Sequence, residues 1–273
     1  MKKVLVAVDA RKVNMKLLDF ACYIARLTHS SLTGVFLENA QLLETMINEP
    51  IHREAKFSAT GKEMAKVIDE NIHQFREACS NRGINCSVYF RSQMPLAEII
   101  NETRFSELLI VDPEMSFKQK KEEMPTGFVR DILVKSECPV VLAPFDFHAI
   151  DEILLAYDGS EASVYAIKQF TYLFPELTGK KLTVLQVNEA GNDLFNEKGK
   201  ISDLLQMHYP VLEFQLLQGK PADEVFGYLL EKKNVFVVMG AFERNTLSRI
   251  FRRSTAELII KTINVPVFIA HHK

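Results

Sequence analysis

The residues LAYDGSEASVYAIKQF at 155–170 decide the fold, because an earlier stretch, VAVDARKVNMKLLDFA at 6–21, aligns with them without a gap. Each stretch begins as an apolar run that ends near an aspartate, Asp9 or Asp158, and continues with the apolar spacing of a helix. The two aspartates are 149 positions apart, which is the length of an ordinary domain. A repeat of this period indicates a duplicated domain rather than a short-period solenoid.

A second match, near the other end of each copy, shows how the copies differ in length. CPVVLAP at 138–144 corresponds to VPVFIAH at 265–271, an offset of 127, so the second copy is shorter by 149 − 127 = 22 residues. We expect the loss to follow the second strand. The apolar residues of 64–75 are spaced for a long helix, whereas 191–206 leaves room only for a short one.

Five strand-like apolar runs alternate with helical stretches in each copy, which predicts an α/β fold with a parallel sheet covered on both faces. The runs are KVLVAVD, SLTGVFL, CSVYFRS, ELLIVD and PVVLA in the first copy, and EILLAYD, KLTVLQV, VLEFQLL, VFVVMG and PVFIA in the second. Helices of the second copy are predicted at 163–174, 200–207, 221–232 and 255–262. The chain then divides into domains at 1–146 and 150–273, and the short connection predicts that they pack together.

Composition and charge narrow the classes of function. The 273 residues are 47% hydrophobic and carry a formal net charge of −2, so no overall basic field attracts DNA or RNA. The apolar runs are shorter than the roughly 20 residues that cross a bilayer, and the start has the pattern of a strand. These features predict a cytoplasmic protein without membrane association. The four cysteines form no C-x-x-C pair, which indicates reduced structural thiols rather than a zinc ribbon or a thioredoxin-type site.

The carboxyl ends of the strands are where an open parallel sheet binds ligands. In the second copy the first, second and fourth strands end at 158–160, 187–188 and 240–241. The residues suited to cap the helices that follow are Ser160 or Ser163 and, in a capping box with Glu257, Ser254. These ends are therefore the candidate site.

Two common nucleotide-binding motifs are missing from the sequence. None of the Gly-Lys pairs is followed by serine or threonine, and no G-x-G occurs, so P-loop NTPases and dinucleotide oxidoreductases are unsupported. The sequence has no paired-carboxylate motif with a clear acid–base role, and apart from the terminal histidines at 271–272 no histidine stands at a strand end near a serine or cysteine. The sequence therefore predicts a protein that is not an enzyme and has no dedicated metal site.

The strand ends of the second copy resemble the universal stress protein family, in its tandem two-domain form. YDGSEAS at 157–163, GKPADEV at 219–225 and the glycine that ends the fourth strand, Gly240, look like segments of that family. The resemblance implies a Rossmann-like, adenine nucleotide alpha hydrolase-like fold with strand order 3-2-1-4-5 in each domain. It also implies a UspA-like stress-response factor whose domains associate through edge strands, as an intramolecular pseudo-dimer or further as a homodimer.

The second copy departs from the family signature, which is G-x-x-G, nine residues and G-S after the fourth strand. Counted from Gly240, Glu243 and Arg253 stand where glycines are expected, and Ser254 matches. A carboxylate at 243 repels phosphate, whereas guanidinium groups can bind it, and Arg253 is one of four arginines in ten residues. The first copy has no signature, and the glycine in its loop, Gly127, aligns with Ser254.

By this resemblance the second copy binds ATP or AMP with Mg²⁺, the aspartate facing ribose or metal, the second-strand main chain facing adenine and the signature facing the phosphates. The residues implied are Asp158, Val187, Gly240, Arg253, Ser254 and Thr255. Two alternatives stay open. One is an interaction scaffold that binds no nucleotide, which the substitutions at 243 and 253 favour. The other is an enzyme of the wider α-hydrolase class, although YDGSEAS is a poor match to the SGGxDS-like loop of such enzymes.

Overall fold

The computed structural model describes residues 3–38, 53–91, 94–118, 120–188, 191–240 and 264–270. The strands are β1 (Lys3–Asp9), β2 (Ser31–Leu37), β3 (Cys86–Arg91), β4 (Leu108–Val111), β5 (Val140–Leu142), β6 (Glu152–Ala156), β7 (Lys181–Asn188), β8 (Leu212–Gln218), β9 (Val235–Gly240) and β10 (Val267–Ala270). The α-helices are α1 (Met15–Leu27), α2 (Arg53–Asn81), α3 (Pro95–Thr103), α4 (Gly127–Lys135), α5 (Glu161–Leu173), α6 (Lys198–Gln206) and α7 (Pro221–Leu230).

All of these strands belong to one sheet, in the order β3-β2-β1-β4-β5-β10-β9-β6-β7-β8. The first five run parallel in the order 3-2-1-4-5, and the second five repeat that order from the opposite edge. Strands β4, β6 and β9 are buried almost along their full length, which is why their sequences are continuous apolar runs. The predicted α/β fold and strand order are confirmed.

The two halves share a single mixed sheet instead of forming two separate sheets. Strands β5 and β10 pair antiparallel, with Val140 opposite Ile269 and Leu142 opposite Val267. Each is the last strand of its half and presents unpaired backbone groups, so pairing the two satisfies both edges at once. The edges left at the ends of the sheet are β3 and β8.

The connection between the halves is held against both of them. The ring of Phe147 lies 5.0 Å from that of Phe20 and 4.5 Å from that of Tyr23, both on α1. From the second half, Asn264 Oδ1 accepts the backbone N–H of Phe145 at 2.5 Å and that of Asp146 at 3.1 Å. The halves are therefore packed together, as the short connection predicts, while the exact domain boundaries at 146 and 150 stay a prediction.

Each face of the sheet carries its own apolar core. Helices α1, α2, α5 and α6 cover one face, and α3, α4 and α7 cover the other. In the second half the first core is centred on Phe170, which is fully buried. Its ring lies 4.9, 5.1 and 5.3 Å from the rings of Phe174, Phe236 and Phe268, measured between centroids.

The copies differ in length at the position that the sequence predicts. After its second strand the first half has α2, with 29 residues, whereas the second half has α6, with 9. The predicted helix at 200–207 is thus confirmed as α6, and the helix predicted at 255–262 lies outside the described residues. Within the described part of the chain, no helix is both long and apolar enough to cross a membrane.

Candidate functional site

Three of the predicted site residues lie together where three neighbouring strands end, on the side of the sheet formed by the carboxyl ends of the strands, called the open edge below. Strands β7, β6 and β9 are neighbours, and Val187, Asp158 and Gly240 stand at their carboxyl ends. The last pair of the β6–β7 ladder is Ala156 with Leu185. Asp158 lies two residues beyond Ala156, and Val187 lies two residues beyond Leu185. Asp158 is exposed and the other two residues are half-buried, so the edge is open to a ligand.

The turn after β6 is shaped by a glycine and two serines. Gly159 has a φ of +79°, a conformation that glycine adopts without strain. The backbone N–H of Ser160 donates to Asp158 Oδ1 at 3.0 Å, which orients the carboxylate. Of the two candidate capping residues it is Ser160 that caps α5, because its hydroxyl accepts the N–H of Ser163 at 3.1 Å. The hydroxyl of Ser163 instead donates to the carbonyl of Ser160 at 2.8 Å.

Gly240 is a position of close backbone approach. A Cβ atom added there would lie 2.6 Å from the carbonyl carbon of Ala162 and 2.7 Å from the nitrogen of Ser163. Both atoms are main chain in the first turn of α5, so no side-chain rotation relieves the contact. The first turn of α5 therefore requires glycine at the end of β9.

In the first half the end of the fourth strand contacts the start of the first helix in a different way. Strand β1 pairs with β4 in the first half as β6 pairs with β9 in the second, and matching the registers of these two pairs makes Asp112 the counterpart of Gly240. Helix α1 begins later than α5, because its N-cap is Asn14, the counterpart of Ser163. Asn14 Nδ2 donates to Asp112 Oδ2 at 2.6 Å, so a side chain occupies the place that a helical turn fills in the second half.

A loop after β7 runs beside the candidate site and is held by two buried amides. Gln186 Nε2 and Asn188 Nδ2 both donate to the carbonyl of Leu194, at 3.2 and 2.7 Å. The N–H of Asn196 donates to Gln186 Oε1 at 3.0 Å. The sequence pattern did not point to these amides, although two amide side chains at the end of an otherwise apolar strand are a usable signal.

The same loop reaches the turn that carries Asp158. Asn196 Nδ2 lies 3.4 Å from where a Cβ of Gly159 would be, and the ring of Phe195 stacks on that of Tyr157 with 6.0 Å between centroids. Burial raises the pKa of the Tyr157 hydroxyl, which has no hydrogen-bond partner among the described residues. The loop therefore forms one wall of the crevice at the ends of β6 and β7.

The remaining predicted site residues, Arg253, Ser254 and Thr255, lie outside the described residues, as does the substituted glycine position, Glu243. Their role in phosphate binding therefore stays a prediction. The part of the candidate site that the structure describes is the edge formed by β6, β7 and β9.

The corresponding edge of the first half is filled by its own side chains. Asp9, the counterpart of Asp158, is paired with Arg11, whose Nε lies 3.2 Å from Oδ1 and whose Nη2 lies 3.2 Å from Oδ2. Glu38 follows β2 and is only 6% exposed, and this burial raises the pKa of its carboxyl group, with Arg11 opposing the shift. Serine replaces Arg11 in the second copy, and among the described residues no cation forms an ion pair with Asp158.

In the loop before α4, the carboxylate of Glu122 is bound by groups of the same loop. The carboxylate of Glu122 accepts the hydroxyl of Ser116 at 2.6 Å, the ammonium of Lys118 at 2.7 Å and the backbone N–H of Gly127 at 3.3 Å. Gly127 is the residue that aligns with Ser254, so an internal carboxylate stands at the helix start where the family signature would hold phosphate. The loop lines a cavity of about 380 Å³.

Replacing Glu122 with glutamine is expected to lower the free energy of unfolding at pH 7 by about 1–2 kcal/mol, because hydrogen bonds to an ionised group are lost. Hydrogen bonds from Lys118 and Ser116 lower the pKa of Glu122 in the folded state. A lowered folded-state pKa stabilises at pH values above the ordinary glutamate pKa, and that contribution disappears as the pH falls through the folded-state value. Urea unfolding of both proteins at pH 7 and pH 3 tests this, and an equal loss at both pH values would contradict it.

The described residues carry their metal-ligating side chains in scattered positions. Among them, no group of three or more histidine, cysteine, aspartate or glutamate side chains is arranged to hold a metal ion. Asp158 is an exposed carboxylate that accepts one backbone N–H, which suits hydrogen bonding to a ligand hydroxyl or contact with a cation that the ligand brings.

Comparison with known proteins begins with sequence. No family model matches the chain. A universal stress protein of Methanocaldococcus jannaschii is 25% identical, over 43% of this chain and 80% of the relative. A universal stress protein of Synechocystis is 27% identical, over 47% of this chain and 45% of the relative. Each sequence match thus covers less than half of this chain.

Solved structures match over almost the whole chain. A universal stress protein of Archaeoglobus fulgidus has a TM-score of 0.73 at 19% identity, covering 99% of this chain and 98% of its own. One of Pseudomonas aeruginosa, described as putative, has a TM-score of 0.55 at 17% identity, covering 99% and 93%. The sequence matches and the shared fold agree with the resemblance found at the strand ends, so the chain is UspA-like, related in sequence to universal stress proteins and built on their fold.

Proposed function

We propose that the chain is a stress-response factor of tandem form that binds an adenine nucleotide, ATP or AMP, in its second half as a regulatory ligand. The observation that carries this proposal is the grouping of Asp158, Val187 and Gly240 at the open ends of β6, β7 and β9. A ligand at this edge meets an oriented carboxylate, main-chain groups of β7 and a glycine without a side chain.

In this proposal Asp158 faces the ribose or a Mg²⁺ ion that accompanies the phosphates, and the main chain at Val187 faces adenine. Arg253, Ser254 and Thr255 bind the phosphates, with guanidinium groups taking over from the missing glycines. Positive charge near Glu243 offsets the repulsion between its carboxylate and a phosphate. In this proposal the nucleotide acts as a ligand and not as a substrate, and the hydroxyl of Ser160, which neighbours Asp158, caps α5 by accepting the N–H of Ser163.

Calorimetric titration of the full chain with Mg-ATP, ADP and AMP tests the proposal. We expect micromolar binding of one nucleotide, weakened at least about tenfold, or 1.4 kcal/mol, by Asp158→Asn and by Arg253→Ala. The matched control is Asp9→Asn, the same substitution in the first half, where Arg11 already occupies the carboxylate. Absence of binding at millimolar nucleotide, or equal loss in the control, would overturn the nucleotide proposal.

The second candidate function is an interaction scaffold without nucleotide. It is favoured by the first half, where Arg11 and Glu122 occupy the positions that a nucleotide would need. We infer that the pairing of β5 with β10 makes the chain a pseudo-dimer of its own halves, which leaves β3 and β8 as the edges for a homodimer. Light scattering across a range of concentrations distinguishes a monomer from a homodimer, and the scaffold function is preferred if calorimetry finds no nucleotide.

A further inference from the structure

Strand β8 ends the sheet, and its outer edge pairs with no other strand of the described residues. On its inner side the ladder with β7 runs without a break from the pair Leu182–Leu212 to the pair Asn188–Gln218. Natural edge strands are usually protected by proline, lysine, a bulge or short length. The seven residues of β8, LEFQLLQ, have none of these protections, and their one charged side chain, Glu213, is paired with Lys181 of β7 at 2.8 Å.

The hydrogen bonds to β7 show which backbone groups of β8 point outward. The carbonyl of Val211 accepts the N–H of Leu182 at 3.3 Å, and the N–H of Gly219 donates to the carbonyl of Asn188 at 2.9 Å. Because the backbone groups of successive residues alternate in direction along a strand, the odd-numbered residues of β8 face β7 and the even-numbered residues face outward. The outward residues are Leu212, Phe214, Leu216 and Gln218.

An antiparallel copy of β8 fits this outer edge in a register that uses all of it. Pairing about Gln215 puts Phe214 of each chain opposite Leu216 of the other, and both pairs then exchange the N–H and C=O groups that face outward. Leu212 lies opposite Gln218 in the same way. The carbonyl of Leu216, which in the single chain accepts Gln215 Nε2 at 3.5 Å, gains a backbone donor.

The side chains that this register brings together are compatible. Phe214, which packs against the core under α6, lies beside Leu216 of the second copy on the same face of the sheet. On the other face Glu213 lies opposite Leu217, so no like charges meet. The amide of Gln215 faces its own copy on the two-fold axis, where it can both donate and accept a hydrogen bond.

Exposed apolar side chains at the two ends of β8 meet in the same arrangement. Met207 and Val211, 83% and 54% exposed, lie before its amino end. Leu194, 75% exposed, lies in the loop that is hydrogen-bonded to Gln218 at its carboxyl end. Antiparallel pairing brings the carboxyl end of one β8 to the amino end of the other, so these side chains gain apolar neighbours from the second copy.

We propose that two copies of this chain associate through β8, as an antiparallel pair about Gln215, so that the sheet continues from one chain into the other. The molecule already joins its own halves by an antiparallel pairing of edges, that of β5 with β10. The proposal rests on the homodimer inferred with the scaffold function, and it specifies the edge and the register. It is independent of nucleotide binding at the ends of β6, β7 and β9.

Sedimentation velocity of the full chain over a range of concentrations tests the proposal with charged variants. In the paired strands the two copies of Gln215 form a non-hydrogen-bonded pair with Cα atoms about 4.5 Å apart, so like charges there repel each other. We expect the unmodified chain to dimerise, and Gln215→Lys and Gln215→Glu each to raise the dissociation constant of the dimer at least about tenfold. A mixture of the two variants should recover the dimer, because each interface then joins an ammonium group to a carboxylate.

The matched control is Tyr89→Lys on β3. Matching the registers of β2 with β3 and of β7 with β8 makes Tyr89 the counterpart of Gln215, and we expect its replacement to leave the dimer unchanged. A dimer that Gln215→Lys leaves intact, or that Tyr89→Lys weakens instead, would overturn the proposal while the homodimer stands. An unmodified chain that stays monomeric at every concentration would overturn both and would leave β8 to a different protein partner.

A cross-link gives a second measurement, which does not depend on the folding of the charged variants. The Cα separation of the pair at Gln215 is one that a disulfide spans, so we expect mild oxidation of Gln215→Cys to join two chains through position 215, as shown by peptide mapping. Tyr89→Cys and the unmodified chain are the controls and should not form this link. Failure of Gln215→Cys to link, with the chain folded by circular dichroism, would contradict the register.

Discussion

Replacing Gly240 with alanine is expected to lower the free energy of unfolding by about 3 kcal/mol. The new Cβ would lie 2.6 Å from the carbonyl carbon of Ala162, so either the end of β9 or the first turn of α5 must move. Forcing extra atoms into a packed region typically costs about 1–3 kcal/mol, and main-chain neighbours put this site at the upper end. Urea unfolding followed by circular dichroism measures the change.

A matched glycine gives the control. Gly227 lies within α7, is exposed, and has no atom within 4 Å of an added Cβ. Gly227→Ala is expected to raise the free energy of unfolding by up to about 1 kcal/mol, because alanine favours the helix. If the two substitutions changed stability alike, the close approach at Gly240 would not be the cause.

Replacing Phe170 with alanine is expected to lower the free energy of unfolding by about 4 kcal/mol. Phe170 is fully buried, and its ring touches those of Phe174, Phe236 and Phe268, so truncation removes apolar burial and leaves a cavity between α5 and two strands. The same urea experiment measures the loss.

The comparison for this substitution is Phe105→Ala. Phe105 is 71% exposed, so its removal should change stability by no more than about 0.5 kcal/mol. A loss below about 1 kcal/mol for Phe170→Ala would mean that the core around β9 and β10 collapses to fill the space, contrary to our expectation.

The two halves have the same strand order but different occupants at their open edges. In the first half Arg11 neutralises Asp9, Asn14 binds Asp112, and Glu122 fills the start of α4. In the second half the carboxylate of Asp158 stays exposed, and the end of β9 carries no side chain. In the first half these aspartates and Glu122 are thus bound by its own side chains and backbone, and the second half is the candidate for a ligand.

Much of this arrangement could be predicted from the sequence. Continuous apolar runs at regular spacing indicate buried parallel strands, and the aligned aspartates Asp9 and Asp158 indicate a duplication. The helix capped by Ser160 was predicted two residues late, because Ser163 was an equally suitable cap. Sequence alone could not choose between the serines, since the choice depends on whether a helical turn fits against Gly240.

The sequence by itself determined the fold class, the strand order through resemblance, and the residues at the ends of β6, β7 and β9, because these depend on local patterns along the chain. Tertiary structure alone decided the antiparallel pairing of β5 with β10, the hydrogen bond between Asn14 and Asp112 and the hydrogen bond between Glu122 and the start of α4. Each of these joins residues that no periodicity links. The pairing of β5 with β10 forms only when the two halves pack together, whereas the side-chain contacts depend on the folding of the first half.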